Sequence, residues 1–292
     1  MNNIIFETFN HITVCYNISW VESVKLMIQE HYDTPEYDNT IVFINYWLDE
    51  NSPFYNDIKQ SFKRRIFYFM EHKTTDDNYF NCGWYDFDSG YVNYLRESGY
   101  ITEIWSMDYR PQFAVRCEQE AGIPLIYKPV RYTSLIKPVD NIYTTPKTVD
   151  FCIVGLIGPD APNRGNFVVN NEHTHKFSLK IISQCENMQR IIPELNLTKY
   201  IIDLPRLEEQ YTQNQVRIFE LLCMGYTMCV KKYAHNIFPG LIYEWETDDD
   251  LMIILKKGEY LQPTEAYKEM TYTDEAYEQY VNNLIEQWNI LG

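Results

Sequence analysis

Short runs of apolar, β-branched and aromatic residues alternate along this chain with stretches whose apolar positions recur every three or four residues. The first pattern is that of strands buried on both faces, the second that of helices showing one face to a core. In the first half strands are expected near Ile12–Tyr16, Thr40–Tyr46, Arg65–Phe69, Ile101–Trp105 and Leu125–Lys128. Helices are expected near Trp20–His31, Phe54–Lys63, Ser89–Ser98 and Pro111–Ala121. Strands alternating with helices predict an α/β architecture with a largely parallel sheet.

The pattern breaks from Pro129 to Pro146, where prolines and polar residues replace periodicity, and then restarts. Val149–Leu156 reads as a strand and G-P-D-A-P-N-R-G as a loop. Phe177–Arg190 is expected as a helix, or as a strand running into one, and Lys199–Leu204 as a strand. A helix over Gln213–Gly225 leads to a strand at Thr227–Val230 and a weaker one at Leu241–Trp245. Helices Asp248–Lys257 and Asp274–Leu291 close the chain. With 292 residues the length suits two domains, placed at 1–138 and 139–292.

Charge narrows the partners. The net charge is −16, and from Leu241 onward 12 acidic residues face 3 basic ones. Such a chain repels a phosphate backbone, so a nucleic-acid partner is not expected. An anion site has to be built from the arginines elsewhere: Arg64, Arg65, Arg131, Arg164, Arg206 or Arg217. The seven cysteines are scattered without a C-x-x-C pair, which points to reduced thiols and a cytoplasmic setting. No apolar run reaches transmembrane length, and the N-terminus lacks the marks of a signal peptide. The load of Ile, Asn, Tyr and Asp fits an AT-rich viral or phage source.

The most informative stretch is Q-N-Q-V-R-I-F-E-L-L-C-M-G-Y-T-M-C-V-K-K, Gln213 to Lys232. Arg217 and Glu220, three residues apart, share a helix face. A guanidinium near a helix start can hold a phosphate, and a carboxylate one turn on can accept from a ribose diol. Upstream, the strand ending at Leu156 runs into a loop with Gly158 and Arg164, where glycine lets a ligand approach the backbone. Arg206 stands in a comparable place after the Lys199–Leu204 strand.

This order resembles the donor domain of glycosyltransferases with two Rossmann-like domains facing a cleft, the GT-B fold. The resemblance rests on R-x-F-E-x-x-x-x-G at Arg217, Phe219, Glu220 and Gly225, followed by T-M-C-V-K-K and L-I-Y-E-W-E-T-D-D-D-L, and covers about 100 residues. The first half is similar to the acceptor domain of small bacterial and large-DNA-virus members, through R-R-I-F-Y-F-M-E-H and the later E-I-W strand. It lacks the Gly-rich N-terminal loop of many such enzymes. The resemblance implies a metal-independent glycosyltransferase. A nucleotide sugar would be held as substrate by Arg217, Glu220, Arg164, Gly158 and Arg206, with no further cofactor. The acceptor would be a glycan, small molecule or protein. A phage-type DNA nucleobase glycosyltransferase and a non-catalytic nucleotide- or sugar-binding module share the fold and stay open as alternatives.

Glu71 and His72 end the Arg65–Phe69 strand and are the candidates for the general base that takes the acceptor proton. His11, opening the first strand, is a second choice. Asp86-Phe87-Asp88 has the spacing of a metal-binding pair, yet Asp88 sits where a helix N-cap is expected. Asp248-Asp249-Asp250 likewise reads as a helix start. His173 and His175 have no third ligand near them in sequence and read as loop residues.

Overall fold

The computed structural model describes residues 4–16, 21–44, 52–69, 98–107, 115, 117–155, 157, 161–182, 188–205, 215–233 and 235–291. The chain divides into two compact units. The first comprises Met1–Val130 with Glu278–Gly292, and the second Arg131–Tyr277. Both are α/β with largely parallel sheets, and a long helix closes the chain.

In the first unit six strands lie in the order of the sequence: β1 (Ile5–Thr8), β2 (Ile12–Tyr16), β3 (Thr40–Ile44), β4 (Arg64–Phe69), β5 (Glu103–Ser106) and β6 (Leu125–Tyr127). β1 pairs antiparallel with β2, Ile5 opposite Tyr16, and all later pairs are parallel. β2 and β3 are buried at every position, as expected for parallel strands covered on both faces. Helices α1 (Glu22–Tyr32) and α2 (Tyr55–Ser61) follow β2 and β3. Phe43, Phe67, Phe69, Tyr100 and Ile104 lie at the centre of the core. Arg65 is absorbed into this packing, donating to the carbonyls of Tyr100 and Phe62. Arg64 is likewise spent, in a two-pronged bond to Glu103.

The second unit is a five-stranded, all-parallel sheet: β7 (Val149–Val154), β8 (Leu179–Ile182), β9 (Thr198–Asp203), β10 (Met228–Lys231) and β11 (Tyr243–Trp245). Its spatial order is β11-β10-β9-β7-β8. The chain builds outward from β7 to β8, then returns to the other side of β7 and continues through β9 to β11. β7 and β9 are therefore neighbours whose connections leave in opposite directions. Their carboxyl ends flank the topological switch point, where open α/β sheets bind ligands.

Helix α3 (Pro162–Thr174) follows β7, the short α4 (Ile192–Leu195) precedes β9, and α5 (Gln215–Met224) follows β9. Next come α6 (Asp248–Lys257), α7 (Pro263–Thr271) and α8 (Asp274–Leu291), whose residues divide between the two units at Tyr277 and Glu278. α5 stops as expected at Gly225. The Tyr226 amide reaches back to the Leu221 carbonyl and the Gly225 amide to Leu222, with Gly225 at φ 95°. This is a Schellman cap, and glycine meets its left-handed requirement without strain.

Several elements differ from expectation. β1 was not anticipated, being four residues long and mostly exposed. α7 was missed because its buried residues, Pro263, Tyr267 and Thr271, make too thin a stripe to stand out. α3 lies partly in the stretch read as a loop. Pro162 presets its first turn, and its buried positions are Arg164, Val168 and Asn171. An arginine and an asparagine in a core-facing stripe hide the period from a reading that counts apolar residues. The expected helix at Ser89–Ser98 lies outside the described residues except for Ser98, and of the expected Pro111–Ala121 helix a π-helical turn at Cys117–Ala121 is seen.

Candidate functional site

β7 ends at Val154, and Gly155 follows it at φ 135°, a conformation open to glycine and rarely to other residues. Its amide bonds the Ile182 carbonyl at the end of β8, so it continues the edge of the sheet. A Cβ at Gly155 would lie 2.8 Å from Arg164 Nη1 and 3.1 Å from Arg217 Nη2. Two guanidinium groups from two helices thus close on one backbone position. Only a residue without a side chain leaves them room.

Arg164 is 6% exposed. It sits on the first turn of α3, where a loop residue was expected. Its Nε and Nη2 donate to the Leu204 carbonyl at 3.1 and 3.0 Å, so the group is locked at the end of β9. Burial of the arginine is tolerated because its charged end finds acceptors. Arg217, on the first turn of α5, is half-buried, and its Nη1 stands 3.4 Å from Asp203 Oδ1. Asp203 is the last residue of β9 and 1% exposed. Glu220 follows Arg217 by three residues on α5 and is half-buried.

Tyr233 lies two residues beyond β10 and is 8% exposed. Burial raises its hydroxyl pKa well above the ordinary value and the Asp203 charge raises it further, while Arg164 and Arg217 oppose this. The four groups therefore share one electrostatic space at the carboxyl ends of β7, β9 and β10. Among these four groups two positive charges meet one negative charge.

Arg164 and Arg217, far apart in the sequence and assigned there to one donor site, both approach Gly155, with Glu220 close by in sequence on α5. Gly158, Arg206, Glu71 and His72 lie outside the described residues, as do Asp86 and Asp88. Sequence reasoning missed Asp203 and Tyr233. The available signal was an acid closing the apolar run Y-I-I-D, the same signal that drew attention to Glu71.

His11 is corrected. It precedes β2 at the amino end, with Nδ1 2.9 Å from Asp38 Oδ1, while the carboxyl end of the parallel strands is the opposite edge of the sheet. Arg131 does not face an anion site either. It donates to the Thr271 and Tyr272 carbonyls and to Asp274. Asp248, Asp249 and Asp250 form the first turn of α6, with Asp250 in a capping box with Thr247. His173 is in the last turn of α3 and His175 is its left-handed cap, so these are helix-end rather than loop residues. Among the described residues no group of three or more His, Cys, Asp or Glu is placed to hold a metal ion. No helix among them is long and apolar enough to cross a membrane.

No protein-family model matches this sequence, and no curated protein matches it significantly. Several solved structures do align with it. The pneumococcal O-GlcNAc transferase GtfA, solved with UDP and GlcNAc, is 8% identical with a TM-score of 0.46, over 85% of this chain and 56% of that one. The OtsA apo structure is 10% identical with a TM-score of 0.45, over 92% of this chain and 74% of that one. The GtfA/B complex gives 8% identity and a TM-score of 0.39, over 86% and 56%. The chain thus spans little more than half the length of the first and third of these.

Proposed function

We propose that this chain is a glycosyltransferase of the GT-B type that moves a sugar from a nucleoside-diphosphate sugar to a hydroxyl-bearing acceptor without a metal ion. The observation that carries the reading is the convergence of Arg164 and Arg217 on Gly155 at the switch point of a parallel sheet. Planar guanidinium groups match phosphate oxygens, and the first turn of α5 adds backbone amides and the positive end of its dipole. Glu220, one turn on from Arg217, has the chemistry to accept from both hydroxyls of a ribose.

In the reaction the acceptor oxygen bonds to the anomeric carbon, and the bond from that carbon to the β-phosphate oxygen breaks with its electron pair. The nucleoside diphosphate leaves with one more negative charge. Arg164 and Arg217 stabilise that charge as it develops, the task electrostatic catalysis performs best. Gly158 and Arg206 are assigned to the same donor site. The acceptor proton passes to Glu71 or His72 in an inverting reaction. Residues 139–292 would carry the donor and 1–138 the acceptor, a glycan, a small molecule or a protein side chain.

The test is calorimetric titration with UDP, GDP, ADP and CMP and their sugars, in EDTA and again with Mn²⁺. Binding of one nucleotide in EDTA, lost in Arg217→Ala and weakened in Glu220→Ala, is the expected result. Failure of every nucleotide to bind under both conditions overturns the reading.

A further inference from the structure

β1 is the last strand of its sheet, so one of its two edges meets no neighbouring strand. The pairing with β2 decides which backbone groups lie on that edge. The Phe9 amide donates to the Ile12 carbonyl where the two strands join. Hydrogen-bonded and non-hydrogen-bonded pairs then alternate along an antiparallel ladder. Glu7, opposite Val14, and Ile5, opposite Tyr16, therefore direct their amides and carbonyls at β2. Phe6 and Thr8, and Ile4 before them, direct theirs to the open edge.

Open edges are usually blunted by proline, by lysine or by a bulge. β1 reads I-F-E-T and has neither proline nor lysine. Its one charged side chain, Glu7, is already engaged. Lys25 Nζ lies 3.0 Å from Glu7 Oε2, and the Tyr16 hydroxyl donates to the same oxygen at 3.1 Å. Exposed apolar groups stand on both faces of the strand. Ile5 is exposed on the face toward α1, which Glu7 shares. On the other face Phe6 meets Phe54, the residue before α2, edge to face with 5.4 Å between ring centres. Both rings are exposed.

We propose that this edge is the interface of a two-fold homodimer, in which β1 pairs antiparallel with β1 of a second copy. A strand that meets its own copy antiparallel is related to it by a two-fold axis, so the contact closes after two chains. Charge points to this edge as the place where copies meet. Each chain carries −16 and repels its copy. A contact between them needs a surface that is apolar and whose charge is already held, as Glu7 is by Lys25.

The outward groups also set the register. They belong to residues 4, 6 and 8 in both copies, so these residues form the hydrogen-bonded pairs. An axis through Phe6 uses all of them, with Ile4 opposite Thr8. It also keeps the two Glu7 carboxylates apart, whereas an axis through Glu7 would set them face to face. With the axis at Phe6, Ile5 of each copy lies opposite Glu7 of the other. The Phe6 and Phe54 rings of both copies come together on one face, where cross-strand aromatic pairs add stability.

Sedimentation velocity over a wide range of protein concentration tests the assembly, and two sets of variants test the register. Ile5→Glu places like charges opposite each other twice across the axis, and Ile5→Lys places opposite charges there. The glutamate variant is expected to dimerise about tenfold more weakly than the lysine variant. Both lose the same apolar contact and change an exposed side chain, so both are expected to melt with the parent. Phe6→Cys is expected to form an intermolecular disulfide on mild oxidation, since Cα atoms of a hydrogen-bonded pair lie about 5.5 Å apart. Peptide mapping locates the bond at residue 6 of both chains, with the parent protein oxidised alongside as control.

A parent protein that stays monomeric at every concentration overturns the proposal and leaves the donor site untouched. A dimer in which the two Ile5 variants weaken alike overturns it too. So does a dimer in which Phe6→Cys fails to cross-link, because the contact then lies elsewhere or in another register.

Discussion

Arg164 and Arg217 come from different helices, α3 and α5, and end 2.8 and 3.1 Å from the same missing atom, the Cβ of Gly155. One is fixed by a carbonyl at the end of β9 and the other faces the carboxylate that closes β9. The sheet thus aims both groups at one point by ending two neighbouring strands together.

Gly155→Ala is the sharpest test of that geometry. The methyl would need φ 135° and the space of Arg164 Nη1, 2.8 Å away. The expected result is a loss of about 2 kcal/mol of stability, from strain at a disallowed backbone angle, together with loss of nucleotide binding. Urea denaturation and calorimetric titration read the two effects separately. Full binding in the alanine variant would mean that the two arginines do not act at this point.

Arg131 is predicted to matter for stability alone. It is 2% exposed, donates to the Thr271 and Tyr272 carbonyls and lies 4.4 Å from the Tyr277 ring. Its ion pair with Asp274 adds little because that carboxylate is exposed. Arg131→Met should cost about 3 kcal/mol by leaving buried carbonyls unserved. Arg131→Lys should recover little of it, since one ammonium does not reproduce a planar fork. The midpoint of urea denaturation measures both.

The α6 cap gives a smaller effect. The Thr247 side chain accepts from the Asp250 amide while the Asp250 side chain accepts from the Thr247 amide. Thr247→Ala is expected to lower stability by about 1 kcal/mol, read in the same denaturation experiment.

Acid should weaken the fold through Asp33 and Asp150. Burial alone would raise the pKa of Asp33, but donation from the amides of His11, Asn10 and Ile12 and from the Asn10 side chain outweighs it and holds the carboxyl below its ordinary value. For Asp150, burial is outweighed by Lys199 and by the amide and hydroxyl of Ser178. A carboxyl depressed in the folded state stabilises above its unfolded pKa, near 4, and that contribution is lost as pH falls through the folded value. Melting temperature is therefore expected to fall steadily below about pH 4. The fall should be shallower in Asp33→Asn and Asp150→Asn.

Apolar runs decided the strands, because a parallel strand covered on both faces is buried and mostly apolar along its length, as β3 is. Local chemistry also decided the ends of α5 and α6, since Gly225 and the Thr247–Asp250 pair act over a few residues. The sequence alone therefore determined the α/β class and the helix that carries Arg217 and Glu220 three residues apart. Strand order is not a local property. That β9 returns beside β7 depends on packing across the whole unit, and this return alone brings Gly155, Arg164, Asp203 and Arg217 together. Tertiary structure also decided that Arg164 is buried on a helix, because the Leu204 carbonyl, from another element, gives its guanidinium an acceptor on the core face of α3.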